Sequence, residues 1–171
     1  MALTNQPKRL QVASSLGLFA KPMYHGQEKA TQTYKAGALV QDDDAGRITE
    51  STSPVNGAAV ANRTIGMVLQ DASGVTDKDV PIIAAGPQLV LEGTLSDSTA
   101  GTGTIAQLDM WKVYPITKAT ANWYLDKNAV SDTGGGVVVG FKDPIGTVDG
   151  RVYFKVTTPA IGGLNAGSAN Y

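Results

Sequence analysis

The chain contains no cysteine. Disulfide scaffolds, thiolate metal sites and cysteine nucleophiles are therefore excluded. A single histidine, His25, excludes a multi-histidine metal site and any mechanism needing two imidazoles. Charge is scarce: 17% of residues are charged, against the usual ~25%. The 14 basic and 15 acidic side chains nearly cancel. That balance lacks the basic footprint of a nucleic-acid binder, so no direct nucleic-acid partner is expected. Long apolar runs are missing too. The best of them, residues 80–91, is interrupted by Pro81, Pro87 and Gln88. It falls short of the roughly 20 apolar residues that span a bilayer, and no membrane partner is expected. Lys8-Arg9 followed by LQVASSLGLFA loosely imitates a secretion signal. Gln11, Ser14 and Ser15 interrupt it, and Lys21-Pro22 stands where a small-residue cleavage site belongs.

What is present is turn chemistry and short apolar runs. Glycine, at 20 of 171 residues, exceeds the usual ~7%. A chain of this length buries an adequate core as one domain, with or without an extended arm. From Tyr34 onward, apolar runs of four to seven residues alternate with Asp-, Asn- and Gly-rich turns. Strands are predicted at 38–41, 47–50, 64–70, 80–84, 88–95, 112–116, 123–126, 136–142 and 151–157. Asp149-Gly150 reads as a hairpin turn. Residues 118–125 (KATANWYL) are the best helix candidate in the body, and a short helix around 9–19 is a second.

The predicted fold is all-β: a small antiparallel or mixed β-barrel or sandwich over residues 35–158. An extended N-terminal arm, residues 1–34, precedes it, and a flexible tail, 159–171, follows. Closing such short-strand sheets removes their edges. The arm carries Leu16, Leu18, Phe19, Met23 and Tyr24. These side chains suit either a groove on another protein or a cap on the domain's own core. In the first case the arm is disordered until it binds.

The sequence also echoes itself. Residues 65–71 (IGMVLQD) lead through a turn to 79–83 (DVPII), and 139–144 (VGFKDP) lead through a turn to 150–154 (GRVYF). A Leu-centred strand followed by acid stands upstream of each, at 39–42 and 124–127.

Chemistry is hard to find. His25 has no nearby nucleophile and reads as a structural or surface histidine. Asp42, Asp43 and Asp44 are adjacent, so their side chains alternate in direction and suit a solvated turn better than a calcium cage. Glu92 and Asp97 are the one candidate carboxylate pair for sugar hydrolysis, although spacing in sequence fixes no distance between them. Trp111, Tyr114, Trp123 and Tyr124 suit sugar stacking, a core or a subunit interface. Gly134-Gly135-Gly136 precedes a strand, so it lacks the helix N-terminus of a phosphate cradle. No catalytic residue, cofactor or metal site is expected.

The order of parts then becomes informative. Ala36-Gly37-Ala38-Leu39-Val40, Ile65-Gly66-Met67-Val68 and Gly150-Arg151-Val152-Tyr153-Phe154 follow one another in a Gly/Thr/Val-rich body. In this the chain resembles the capsid cement, or head decoration, proteins of tailed bacteriophages over roughly residues 35–157. Residues 92–120 and the long arm depart from the short members of that family. The resemblance implies a non-enzymatic virion protein on the outer capsid surface. It would be a homotrimer that clamps adjacent subunits of the major capsid protein. It further implies a capsid-binding arm with Lys8, Arg9, Leu10, Leu16, Phe19 and Tyr24, and subunit-interface candidates at Trp111, Tyr114, Trp123 and Tyr124. The alternative function is a carbohydrate- or receptor-binding β-module of a virion surface or fibre.

Overall fold

The computed structural model describes residues 10–15, 23–43, 45–51, 64–86, 89–97, 103–119, 122–129 and 134–157. Among them, regular structure is β except for one 3-10 turn, Gln107–Asp109. The strands are β1 (Gln11–Ser15), β2 (Met23–Gln27), β3 (Leu39–Asp42), β4 (Ile48–Glu50), β5 (Gly66–Val68) and β6 (Asp79–Ala84). They continue with β7 (Leu89–Ser96), β8 (Val113–Tyr114), β9 (Ile116–Ala119), β10 (Asn122–Asp126), β11 (Gly136–Phe141) and β12 (Arg151–Val156).

The strands form two sheets. The first runs β8-β11-β12-β7-β10-β9, with β1 added to β7. Its first and last members are consecutive in sequence, separated only by Pro115. One bent strand therefore pairs with β11 through its first half and with β10 through its second. The Asp126 amide closes the remaining gap by donating to the Pro115 carbonyl at 2.9 Å. The sheet is thus nearly closed, which removes most of its exposed edge. The second sheet runs β2-β6-β5-β3-β4. Its ends also meet, through a bridge between Glu28 and Ile48.

Alternation explains which residues fill the interior. In β12, Val152, Phe154 and Val156 are buried while Arg151, Tyr153 and Lys155 are partly exposed. Val152 pairs with Gly93 and Phe154 with Leu91 of β7, so these residues share the inner face. In the second sheet Leu39, Met67 and Ile83 are level on one face and Val68, Ile82 and Val80 lie on the other; with Val40 and Ile48 all are buried, so both faces of this sheet are covered. An ion pair from Lys118 of β9 to Glu50 of β4, at 2.7 Å, ties the two sheets together.

Each of the nine predicted strands overlaps an observed one, with 112–116 straddling β8 and β9, but three parts of the reading change. The described residues of 118–125 form no helix. They end β9 and begin β10, with Lys118 opposite Trp123 and Thr117 opposite Tyr124. A helix of two turns is marginal alone, and strand pairing to β7 outweighs it. Within the second helix candidate, Gln11–Ser15 likewise form β1, antiparallel to β7, while residues 9 and 16–19 lie outside the described residues. The connection from β11 to β12 spans residues 142–150, so Asp149-Gly150 ends a long loop rather than making a two-residue turn.

The boundary drawn at residue 34 also shifts. Parts of the first 34 residues belong to the sheets: β1 lies on β7 and β2 on β6. Leu10 is buried, and Tyr34 and Glu28 are buried too. A Cβ at Gly93 would lie 2.6 Å from Leu10 Cδ2 and 2.9 Å from Phe154 Cε1. Glycine there makes the notch that Leu10 fills. The tail at 159–171 lies outside the described residues.

The echoed segments prove to be equivalent hairpins in different sheets, β5–β6 and β11–β12. Their upstream strands are not equivalent. β3 pairs with β5, whereas β10 pairs with β7 and β9.

Candidate functional site

The buried acids come first, because catalysis needs convergent titratable groups. Each is engaged. Glu28 accepts the Ser73 amide at 3.0 Å, the Ser73 hydroxyl at 3.1 Å and the Gly74 amide at 2.6 Å. Glu92 meets Lys142 Nζ at 2.6 Å and Arg151 at 3.3 Å. Arg151 forks onto Asp143, at 2.9 and 3.1 Å. Asp97 accepts a hydrogen bond from the Asn128 side chain, past the end of β7. Five residues of extended chain separate it from Glu92, roughly 16 Å. Glycosidase carboxylates stand ~5–9.5 Å apart, so the structure does not bring this pair together.

His25 is exposed on β2, with Nδ1 2.6 Å from Asp79 Oδ2. Asp43 organises a turn: its Oδ1 accepts the Arg47 and Ala45 amides at 2.8 and 2.9 Å. Those amides, Arg47's foremost, hold its carboxyl below the ordinary range. Asp42 is exposed at the end of β3, and Asp44 lies outside the described residues. Among the described residues, no group of three His, Asp or Glu side chains is arranged to hold a metal.

The aromatic set divides. Tyr114, Trp123 and Tyr124 are buried within the chain itself, which withdraws them from a subunit interface or a sugar platform. Trp123 sits in the core, and Tyr124 is on the opposite face of β10, level with Thr94 and Thr117. Trp111 is the exception, at 70% exposed. Of the arm residues, Leu10 is in the core and Tyr24 is exposed on β2. Lys8, Arg9, Leu16 and Phe19 lie outside the described residues.

Trp111 belongs to an end of the first sheet that sequence reasoning did not single out. Two segments meet there, residues 103–112 and the 142–150 loop. Ile105 donates to the Thr147 carbonyl at 3.0 Å, and Gly146 donates to the Ile105 carbonyl at 2.8 Å. A bridge joins Thr104 to Val148. Together these segments carry Leu108 (77% exposed), Trp111, Ile145 (54%) and Val148 (46%). The four side chains together leave on the order of 400 Å² of apolar surface exposed, comparable to the largest apolar patch of an ordinary monomer.

The backbone beneath is unusual. Trp111 has φ of 66°, left-handed for a bulky residue. That conformation costs roughly 1–2 kcal/mol. Its amide is held by the Val138 carbonyl at 2.9 Å. Strain of this kind collects at functional positions.

A buried polar cluster holds the turn. Asp109 is 1% exposed. Its Oδ2 accepts the Ala106 amide and Lys127 Nζ, both at 2.8 Å, and its Oδ1 accepts the Tyr114 hydroxyl at 2.7 Å. Lys127 also donates to the Thr104 carbonyl at 2.6 Å. Burial alone would raise the Asp109 carboxyl. The Lys127 ammonium, with the Ala106 amide and the Tyr114 hydroxyl, outweighs it and keeps the carboxyl below the usual range. Burial, reinforced by the bond to Asp109, pushes the Tyr114 phenol up.

Sequence reasoning missed Leu108, Asp109, Ile145 and Val148. The available signal was weak: large apolar residues inside segments that otherwise read as turns. Comparison with protein-family models, with curated proteins and with solved structures finds no match to this chain.

Proposed function

We propose that the chain is a structural docking protein: a capsid cement of a tailed bacteriophage that transforms no molecule. In this reading it binds the outer surface of an icosahedral shell, as a homotrimer, and clamps adjacent subunits of the major capsid protein. The observation that carries the reading is the exposed apolar end built from Leu108, Trp111, Ile145 and Val148. A patch of this kind, set on a nearly closed β-body, suits adhesion better than turnover. The sequence likeness supplies the partner. The Trp111 turn also falls within residues 92–120, where this chain departs from the short family members.

The physics of the task fits. Packed DNA pushes a filled head outward and strains the joints between shell subunits. A clamp that spans joints opposes this by adding interface. An interface of ~800 Å² per partner can range from micromolar to picomolar affinity. Linking three copies raises avidity by ~10²–10⁴ without stronger individual contacts.

The test is sedimentation of purified chain with undecorated shells, assembled from the major capsid protein encoded with it. Saturable co-sedimentation is expected, and a chain left in the supernatant at micromolar concentration ends the reading. Screening the same preparation on a glycan array separates the carbohydrate-binding alternative.

A further inference from the structure

We infer that Asp109, clamped between Lys127 and Tyr114, is the positioning residue of the docking end: it sets Leu108 and Trp111 in their presented geometry before any partner arrives. The inference rests on the docking reading above. Its physical basis is the place of Asp109 in the turn. Leu108 precedes it directly and Trp111 follows two residues later. Backbone bonds inside this segment are short-range and few: Asp109 amide to the Ala106 carbonyl, Met110 to Gln107, and Lys112 to Asp109. Backbone bonds to the rest of the body pin its two ends, Ile105 to Thr147 and Gly146, and Trp111 and Lys112 to Val138. The Asp109 carboxylate adds a side-chain tie at the middle of the turn, beside Leu108. One oxygen takes the Ala106 amide and so closes the turn on itself. The other takes the hydroxyl of Tyr114, which leads into the bent strand. Lys127, from the far end of β10, then joins the same carboxylate to the Thr104 carbonyl. A single buried group thus closes the turn and ties it to two other parts of the body, β8 through Tyr114 and the residue after β10 through Lys127. Trp111, left-handed and 70% exposed, stands two residues from this anchor.

Preorganisation of this kind improves affinity by removing an ordering cost from the binding step. Asp109→Asn keeps the size but weakens the tie to Lys127. Lys127→Met leaves Asp109 bonded to Ala106 and Tyr114, and it carries the test should Asp109→Asn fail to fold. The full chain is labelled with 5-fluorotryptophan, which gives one ¹⁹F resonance for each of its two tryptophans. A Trp111→Asn variant assigns them. In either positioning variant the Trp111 resonance should broaden or split while that of Trp123 keeps its shift and width. Affinity for the undecorated shells should fall about tenfold, the loss expected from ordering one further residue on binding. An unchanged Trp111 resonance, or unchanged affinity alongside a broadened one, overturns the inference. Equal broadening of both resonances also overturns it, because that reports general loosening of the fold. Failure of the docking reading looks different: Trp111→Asn itself then leaves shell binding intact.

Discussion

The two tryptophans allow a single experiment to separate presentation from packing. Trp123 is 1% exposed. Its replacement by alanine empties a core site and should cost ~3–5 kcal/mol. Trp111→Asn has two opposing consequences. Roughly three-tenths of the residue is covered in the folded chain. On a ring that buries ~150–250 Å² when fully enclosed, this is about 45–75 Å², or ~1–2 kcal/mol at ~25 cal/mol per Å². Against that, asparagine tolerates the left-handed backbone, which relieves much of the ~1–2 kcal/mol held at φ 66°. The two nearly cancel. The net change should lie within about 1 kcal/mol of zero, a shift of no more than ~4 °C in Tm for a chain of this size. Urea denaturation, read from the midpoint at constant slope, measures both variants. Shell sedimentation is then run on whichever variants are folded. Trp111→Asn should weaken binding by at least about thirtyfold, the scale of an aromatic hot spot. A stability loss above ~3 kcal/mol for Trp111→Asn would refute the reasoning, because the indole would then be a packing element.

Three further outcomes are expected. Leu10→Ala should destabilise the whole chain by ~2–5 kcal/mol, since Leu10 fills the notch at Gly93 beside Phe154; hydrogen exchange in β7 would report a merely local effect instead. Gly135→Ala should cost at least ~3 kcal/mol in urea, because its Cβ would sit 2.1 Å from the Tyr114 carbonyl oxygen at φ 144°. The Asp109 carboxyl is held below its unfolded value, so its contribution is present above pH ~4 and is lost as pH falls through the lower folded value. Asp109→Asn should therefore flatten the acid limb of a stability–pH profile, and an unaltered limb would show that other carboxylates govern it.

Much of the β-body was legible because strand signals are local. The alternation of RVYFKV in β12 can be read directly, and its odd and even residues divide as expected between surface and core. Turn chemistry was nearly as plain: the Asp43 carboxylate bonds the amides of its own turn, as adjacent aspartates before Ala45-Gly46 imply. Strands β1 and β2 were not legible. Their pairing partners lie in β7 and β6, more than fifty residues away, and no local period announces such a partnership. The KATANWYL segment fails for the same reason: its composition permits either state, and the parallel pairing of β10 to β7 decides between them.

The sequence by itself determined that the chain is a cysteine-free, nearly neutral, all-β polypeptide with strands at nine recognisable places. It also narrowed the chemistry to isolated acids, one histidine and four notable aromatics. Only the tertiary structure decided which of those aromatics meets solvent. Burial depends on how a sheet closes, and closure here depends on one strand bending at Pro115 to serve two distant neighbours. The exposed apolar end is likewise a tertiary outcome. Leu108 and Trp111 stand more than thirty residues from Ile145 and Val148, and backbone hydrogen bonds between their two segments, made in three dimensions, set them at one end of the sheet.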